Sequence, residues 1–94
     1  MDFDEFQGLM DRTYRHRDAD RGISATVAWL AEEVGELAQA VRKGDRAAQR
    51  HELGDVLAWL ASLANQLDLS LGDAVTPYQS GCPKCRALPC RCPA

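Results

Sequence analysis

The sequence predicts an all-α protein: an antiparallel helical hairpin plus an N-terminal helix, closing into a four-helix-bundle core on dimerisation, with a short C-terminal zinc-binding tail. Three observations carry this. Ile23, Val27, Leu30, Val34, Leu37 and Val41 recur at spacings of 4, 3, 4, 3 and 4, the stripe of an amphipathic helix. A single glycine turn, "RKGD", separates that stretch from a second one of equal length. All four cysteines lie in the last 13 residues, apart from a body that has none.

The first helix is expected over roughly residues 2–17, where Phe3, Phe6, Met10 and Thr13 follow helical spacing. "DADRG" breaks it, and Ser24 is a plausible N-cap for the next. The second helix runs to about Lys43. Arg42 and Lys43 suit its C-terminal dipole, and Gly44 suits a left-handed cap. The third covers about 46–67, with Leu53, Val56, Leu57, Leu60, Leu63 and Leu67 as its seam. Ser70 caps a short helix to about Val75, which Pro77 stops. Residues 1–76 thus form the helical domain and 77–94 a linker and cysteine-rich tail. So few helical residues leave apolar surface uncovered, and pairing with a second copy, as a homodimer or a dimer of dimers, is the expected remedy.

Composition narrows the function. Net charge is −3, so a nucleic-acid partner is not expected. No apolar run approaches the roughly 20 residues that span a bilayer, so no membrane role is expected. "MDFDEFQGLM" carries acids where a secretory signal carries cations, and the protein is read as cytoplasmic. One segment is locally basic. "RTYRHRDADR" is either a solvated helix end or an anion site, with Arg17 and Arg21 as its candidates.

The acids are more specific. Glu33 and Glu36 share one helix face, and Glu52 and Asp55 share a face of the next helix. Folded about Gly44, residues whose numbers sum to 88 stand level: Glu36 with Glu52, Glu33 with Asp55, Trp29 with Trp59. Four carboxylates at one level repel one another when empty, and hard divalent cations such as Mg²⁺ or Mn²⁺ resolve the conflict. The tryptophans are either bundle core or a wall for a nucleobase. Metal beside an aromatic wall suggests a nucleotide. Glu32 points off this ridge and is either solvated or an auxiliary base. Gly35 and Gly54 sit inside the two acidic motifs, where a side chain would hinder the helices from closing on a metal.

"WLAEEVGELAQAVRKGD" followed by "HELGDVLAWLASLANQL" resembles the MazG-like nucleotide pyrophosphohydrolases of the all-α NTP pyrophosphatase superfamily, over about residues 3–76. The family pattern, ExxE, a spacer, then ExxD, is here Glu33-x-x-Glu36, 15 residues, and Glu52-x-x-Asp55. The resemblance implies Mg²⁺-dependent hydrolysis of a nucleoside triphosphate to monophosphate and pyrophosphate, in the service of nucleotide-pool housekeeping. It assigns the metal to Glu33, Glu36, Glu52 and Asp55, and implies dimeric or tetrameric bundles. The chain departs from the family after the third helix, where Pro77 cuts short a helix that usually carries phosphate-binding lysine or asparagine. Phosphate contacts then fall to Lys43, Arg17, Arg21 or a partner chain. Asn65 is a further candidate, or a satisfied interface amide. The shortened helix leaves a second reading, a non-catalytic nucleotide- or partner-binding regulator. A di-iron bundle would need Glu-x-x-His, and His51, directly before Glu52, cannot supply it.

The tail reads Cys82-x2-Cys85-x4-Cys90-x-Cys92. Four clustered thiols suit a structural tetrahedral Zn²⁺; disulfides and an iron–sulfur cluster are the alternatives.

Overall fold

The computed structural model describes residues 1–94 and is entirely helical: α1 (Phe3–Arg21), α2 (Ile23–Lys43), α3 (Arg46–Gln66) and α4 (Leu71–Val75), followed by a 3₁₀ turn over Thr76–Tyr78. No helix is long and apolar enough to cross a membrane.

Local signals set most boundaries. Asp2 caps α1 by accepting a 2.8 Å bond from the Glu5 amide. Asp45 does the same for α3 from the Ala48 amide at 3.0 Å. Ser70 caps α4 through the Asp73 amide at 3.1 Å. Gly44 adopts the left-handed conformation (φ 69°, ψ 22°), and its amide closes the last turn of α2.

The first boundary differs from expectation. α1 continues four residues beyond 17, because "DADR" contains no residue that forbids a helix. Asp18 pairs with Arg21 at 2.9 Å across the last turn, and only Gly22, at φ 84°, ends it. α2 follows at once, so Ser24 lies inside the helix and is not its cap. Thr26 takes the structural role there. Its hydroxyl donates to the Gly22 carbonyl at 2.9 Å and accepts from Gln66 Nε2 at 2.7 Å, tying the start of α2 to the end of α3.

α3 is the central element, with α2 and α1 packed against it and α4 folded back on α1. Gln7 of α1 is the clasp. Its Nε2 donates to Asn65 Oδ1 at 3.0 Å and to the Leu69 carbonyl at 2.7 Å, and its Oε1 accepts the Leu71 amide at 2.8 Å.

Only six residues are buried: Asp18, Thr26, Ala40, Ala61, Ser62 and Ala64. Small side chains let the helices approach closely, and they leave the branched residues outside. Val34 is 49% exposed, Val41 60% and Leu53 52%; Ile23, Val27, Leu57, Leu60 and Leu67 are exposed with them. The stripes read as seams therefore lie largely on the surface of the single chain.

Replacing Gln7 by alanine removes the clasp and strands the Leu71 amide. The expected loss is roughly 2 kcal/mol of stability, read as a lower Tm; an unchanged Tm would show that α1 docks without it.

Candidate active site

The hairpin register brings the two acidic motifs together. Carboxylate oxygens of Glu33, Glu36 and Glu52 lie within 4.8 Å of one another. Glu52 also belongs to a second group of the same spacing, with Asp55 and His51. One helical turn beyond Glu33 and Asp55, the Trp29 and Trp59 rings stack at 6.0 Å between centroids and 12° between planes.

Two of these acids are under electrostatic stress. Glu33 Oε2 and Glu52 Oε2 are out of contact with water and have no hydrogen-bond partner. Burial pushes the Glu33 carboxyl up to about 7; the nearby Glu52 carboxyl and the charges of Glu36 and Asp55 push the same way. A buried carboxylate oxygen without a donor is costly. Oxygen donors so placed fit a hard divalent cation, which removes both the repulsion and the unmet bonding.

Two cavities border the acidic motifs. One of about 320 Å³ lies between α1 and α3, lined by Tyr14, Arg17, Arg21, Asp55, Trp59 and Ser62. Another, of about 410 Å³, is bordered by Glu36, Glu52 and Lys43. Each cavity thus sets a cation beside an acid, Arg17 and Arg21 with Asp55 and Lys43 with Glu36 and Glu52. Arg21 also covers the Trp59 ring at 4.6 Å, so Trp59 meets both Trp29 and a guanidinium. Trp29 keeps an exposed side. Glu32 is exposed beside the cluster. Asn65 belongs to the α1–α3 contact: its Oδ1 accepts from Gln7 and its Nδ2 donates to the Gln7 carbonyl at 3.2 Å. Gly35 and Gly54 have open space where a Cβ would stand, so within one chain neither is required for close approach.

Two residues escaped the sequence reading. His51 Nε2 lies 3.3 Å from Asp55 Oδ2, and its signal was the four-residue helical spacing. Asp18 is 4% exposed, with Oδ1 on Arg21 and Oδ2 unpartnered. Nothing in a charged run marks one aspartate for burial; the way α1 lies on α3 decides it.

The model of the MazG nucleotide pyrophosphohydrolase domain matches residues 21–80, well over half of the chain. The chain belongs to the MazG family. The matched region begins at the last residue of α1 and contains all four acids of the ExxE and ExxD motifs, so this MazG chain carries its acidic cluster within the family's own domain. No curated protein matches the chain.

A second cluster lies in the tail. The Cys82 and Cys92 sulfurs are 3.6 Å apart and those of Cys85 and Cys90 3.9 Å, and all four sulfurs lie within 4.8 Å of one another. None is bonded to another as a disulfide. Backbone amides, that of Arg91 foremost, lower the Cys85 thiol to about 6, while hydrogen bonds from Cys90, Cys82 and Cys85 raise Cys92 to about 11. This cluster can hold a soft metal ion.

The raised Glu33 carboxyl fixes a sign. Its folded value, about 7, lies above the ordinary 4.5, so the folded state holds the proton more tightly. Its contribution to stability is lost as pH rises from about 4.5 through 7. Without Mg²⁺, Glu33→Gln should melt near wild type at pH 5 and above it at pH 8, with Mg²⁺ closing the gap. A pH-independent difference would mean that Glu33 feels no such field.

Proposed function

We propose that the chain hydrolyses a nucleoside triphosphate to the monophosphate and pyrophosphate with Mg²⁺ or Mn²⁺ at the acidic cluster, removing unwanted nucleotides in the cytoplasm. The observation that carries this is the pair of buried, unpartnered oxygens on Glu33 and Glu52, within the domain of a pyrophosphohydrolase family. Glu33, Glu36, Glu52 and Asp55 would hold the metal. When bound, the ion supplies neutralisation of phosphate oxygens and a lowered pKa for its water.

The chain's own groups divide the remaining work. Arg17 and Arg21, in the cavity beside Asp55, orient phosphate oxygens from one side, and Lys43 does so from the other. Water attacks the α-phosphorus in line, the bond from that phosphorus to the bridging oxygen breaks, and pyrophosphate leaves. Glu32, exposed on the same helix, would accept the proton of the attacking water. Trp59 is already covered by Trp29 and Arg21, so the base stacks against the exposed side of Trp29. The cysteine tail takes no part in this chemistry; in this reading it holds a structural Zn²⁺.

The uncovered stripe of Val27, Val34, Val41, Leu53, Leu57 and Leu60 supports pairing with a second copy into a four-helix core. A non-catalytic nucleotide-binding regulator is the second reading, favoured by an α4 of five residues with no lysine or asparagine.

Pyrophosphate release from a panel of canonical and modified NTPs, with Mg²⁺ or Mn²⁺, tests the enzyme reading. Glu36→Gln should lower kcat/KM by about 100-fold or more, since even outer partners of a metal ligand contribute roughly 10–100-fold. Activity indifferent to Glu36→Gln defeats the assignment, and inactivity on every nucleotide favours the regulator.

For assembly, Val34→Glu should convert a dimer or tetramer into a less stable monomer by light scattering. A wild-type chain that is a stable monomer at micromolar concentration overturns the pairing.

A further inference from the structure

We infer that residues 82–92 form a self-contained zinc module, ordered by its metal rather than by the helices it follows. This rests on the reading of the tail as a zinc site and deepens it; it does not depend on hydrolysis.

The donor geometry fits zinc. A Zn–S bond of about 2.3 Å in a tetrahedron requires sulfurs about 3.8 Å apart. The Cys82–Cys92 and Cys85–Cys90 edges measure 3.6 and 3.9 Å. Bonded sulfurs would stand at about 2.0 Å. The two edges nest in sequence, Cys85–Cys90 inside Cys82–Cys92, so one ion at their centre joins the first pair of cysteines to the last.

The backbone is shaped around the same centre. The Cys82 amide donates to the Ala87 carbonyl at 3.1 Å, and the Arg86 amide to the Cys82 carbonyl at 2.7 Å. These bonds close a small loop that carries Cys82 and Cys85. Arg86 turns through a positive φ of 60°. Gly81, at φ 110°, lies so near Ala87 that a Cβ would stand 2.6 Å from its carbonyl oxygen. The amides of Arg91 and Cys92 point at the sulfurs of Cys85 and Cys90, each at 3.3 Å, where they stabilise thiolate charge.

Nothing else holds this loop. No hydrogen bond joins residues 82–94 to any residue before them, and none of them is buried. A segment with no core has no apolar burial to offset its conformational entropy, so a metal must order it. The charge pattern agrees. Four thiolates on one Zn²⁺ leave two excess negative charges, and residues 74–94 carry Lys84, Arg86 and Arg91 with no acidic side chain. The tail's cations therefore have a local counter-charge. The two clusters also differ in donor type: thiolates select the softer ion, and carboxylates select Mg²⁺ or Mn²⁺.

The test uses the full chain, stripped of metal under reducing conditions and without nucleotide, so that its failure is separate from any failure of hydrolysis. One equivalent of Zn²⁺ should bind. Co²⁺ in its place should give the absorption of a tetrahedral thiolate complex, and Cys85→Ser should weaken Zn²⁺ binding by more than tenfold. On zinc addition, the amide NMR signals of residues 82–92 should disperse, while those of α1–α4 and the helical Tm stay where they are. No zinc uptake, iron–sulfur absorption in the purified protein, or a six-coordinate Co²⁺ spectrum overturns the zinc site. A Tm that falls, or helix signals that move, when zinc is removed overturns its independence.

Discussion

The crowding of carboxylates across the α2–α3 hairpin is the constraint on which the rest of the structure depends. Glu33, Glu36 and Glu52 converge within 4.8 Å, with buried oxygens that no donor reaches and a Glu33 carboxyl raised to about 7. A chain selected for stability alone would separate these charges. Here the hairpin holds them together, and α1 sets Arg17 and Arg21 in the cavity beside Asp55. Every other feature of the helical body either keeps that register or tolerates its cost.

The register is kept by small residues. Thr26, Ala40, Ala61 and Ala64 are buried and allow close helix packing, and the Gly44 turn with its Asp45 cap fixes which residues stand level. Large apolar side chains consequently sit on the outside. The same choice that draws the acids together leaves one chain with too little core to be a comfortable monomer. The crowded acids and the uncovered apolar side chains are thus two consequences of one packing arrangement.

The hairpin was legible in the sequence because its signals are local and redundant: a stripe, a glycine cap, and motifs whose positions sum to a constant. The Trp29–Trp59 stack follows from that sum. The end of α1 was less legible, since "DADR" looks like a breaker yet forms a final turn through Asp18 and Arg21. The stripe's outward direction was also hidden, because periodicity gives a face and not the neighbour that covers it. Asp18 and the Arg21–Trp59 contact depend on how α1 crosses α3, a long-range matter with no local signature. Asn65 could be read from sequence as a phosphate contact or as an interface amide, and the Gln7 clasp places it at the interface.

Mn²⁺ binding followed by electron paramagnetic resonance, in wild type and Glu52→Gln, tests the central claim most directly. Glu52 is the residue common to both carboxylate groups. The account predicts Mn²⁺ binding in the wild type that Mg²⁺ displaces, weakened at least tenfold by the substitution while the helical content is unchanged. Equal Mn²⁺ affinity in the two proteins would contradict it, because the crowded acids would then be holding nothing together.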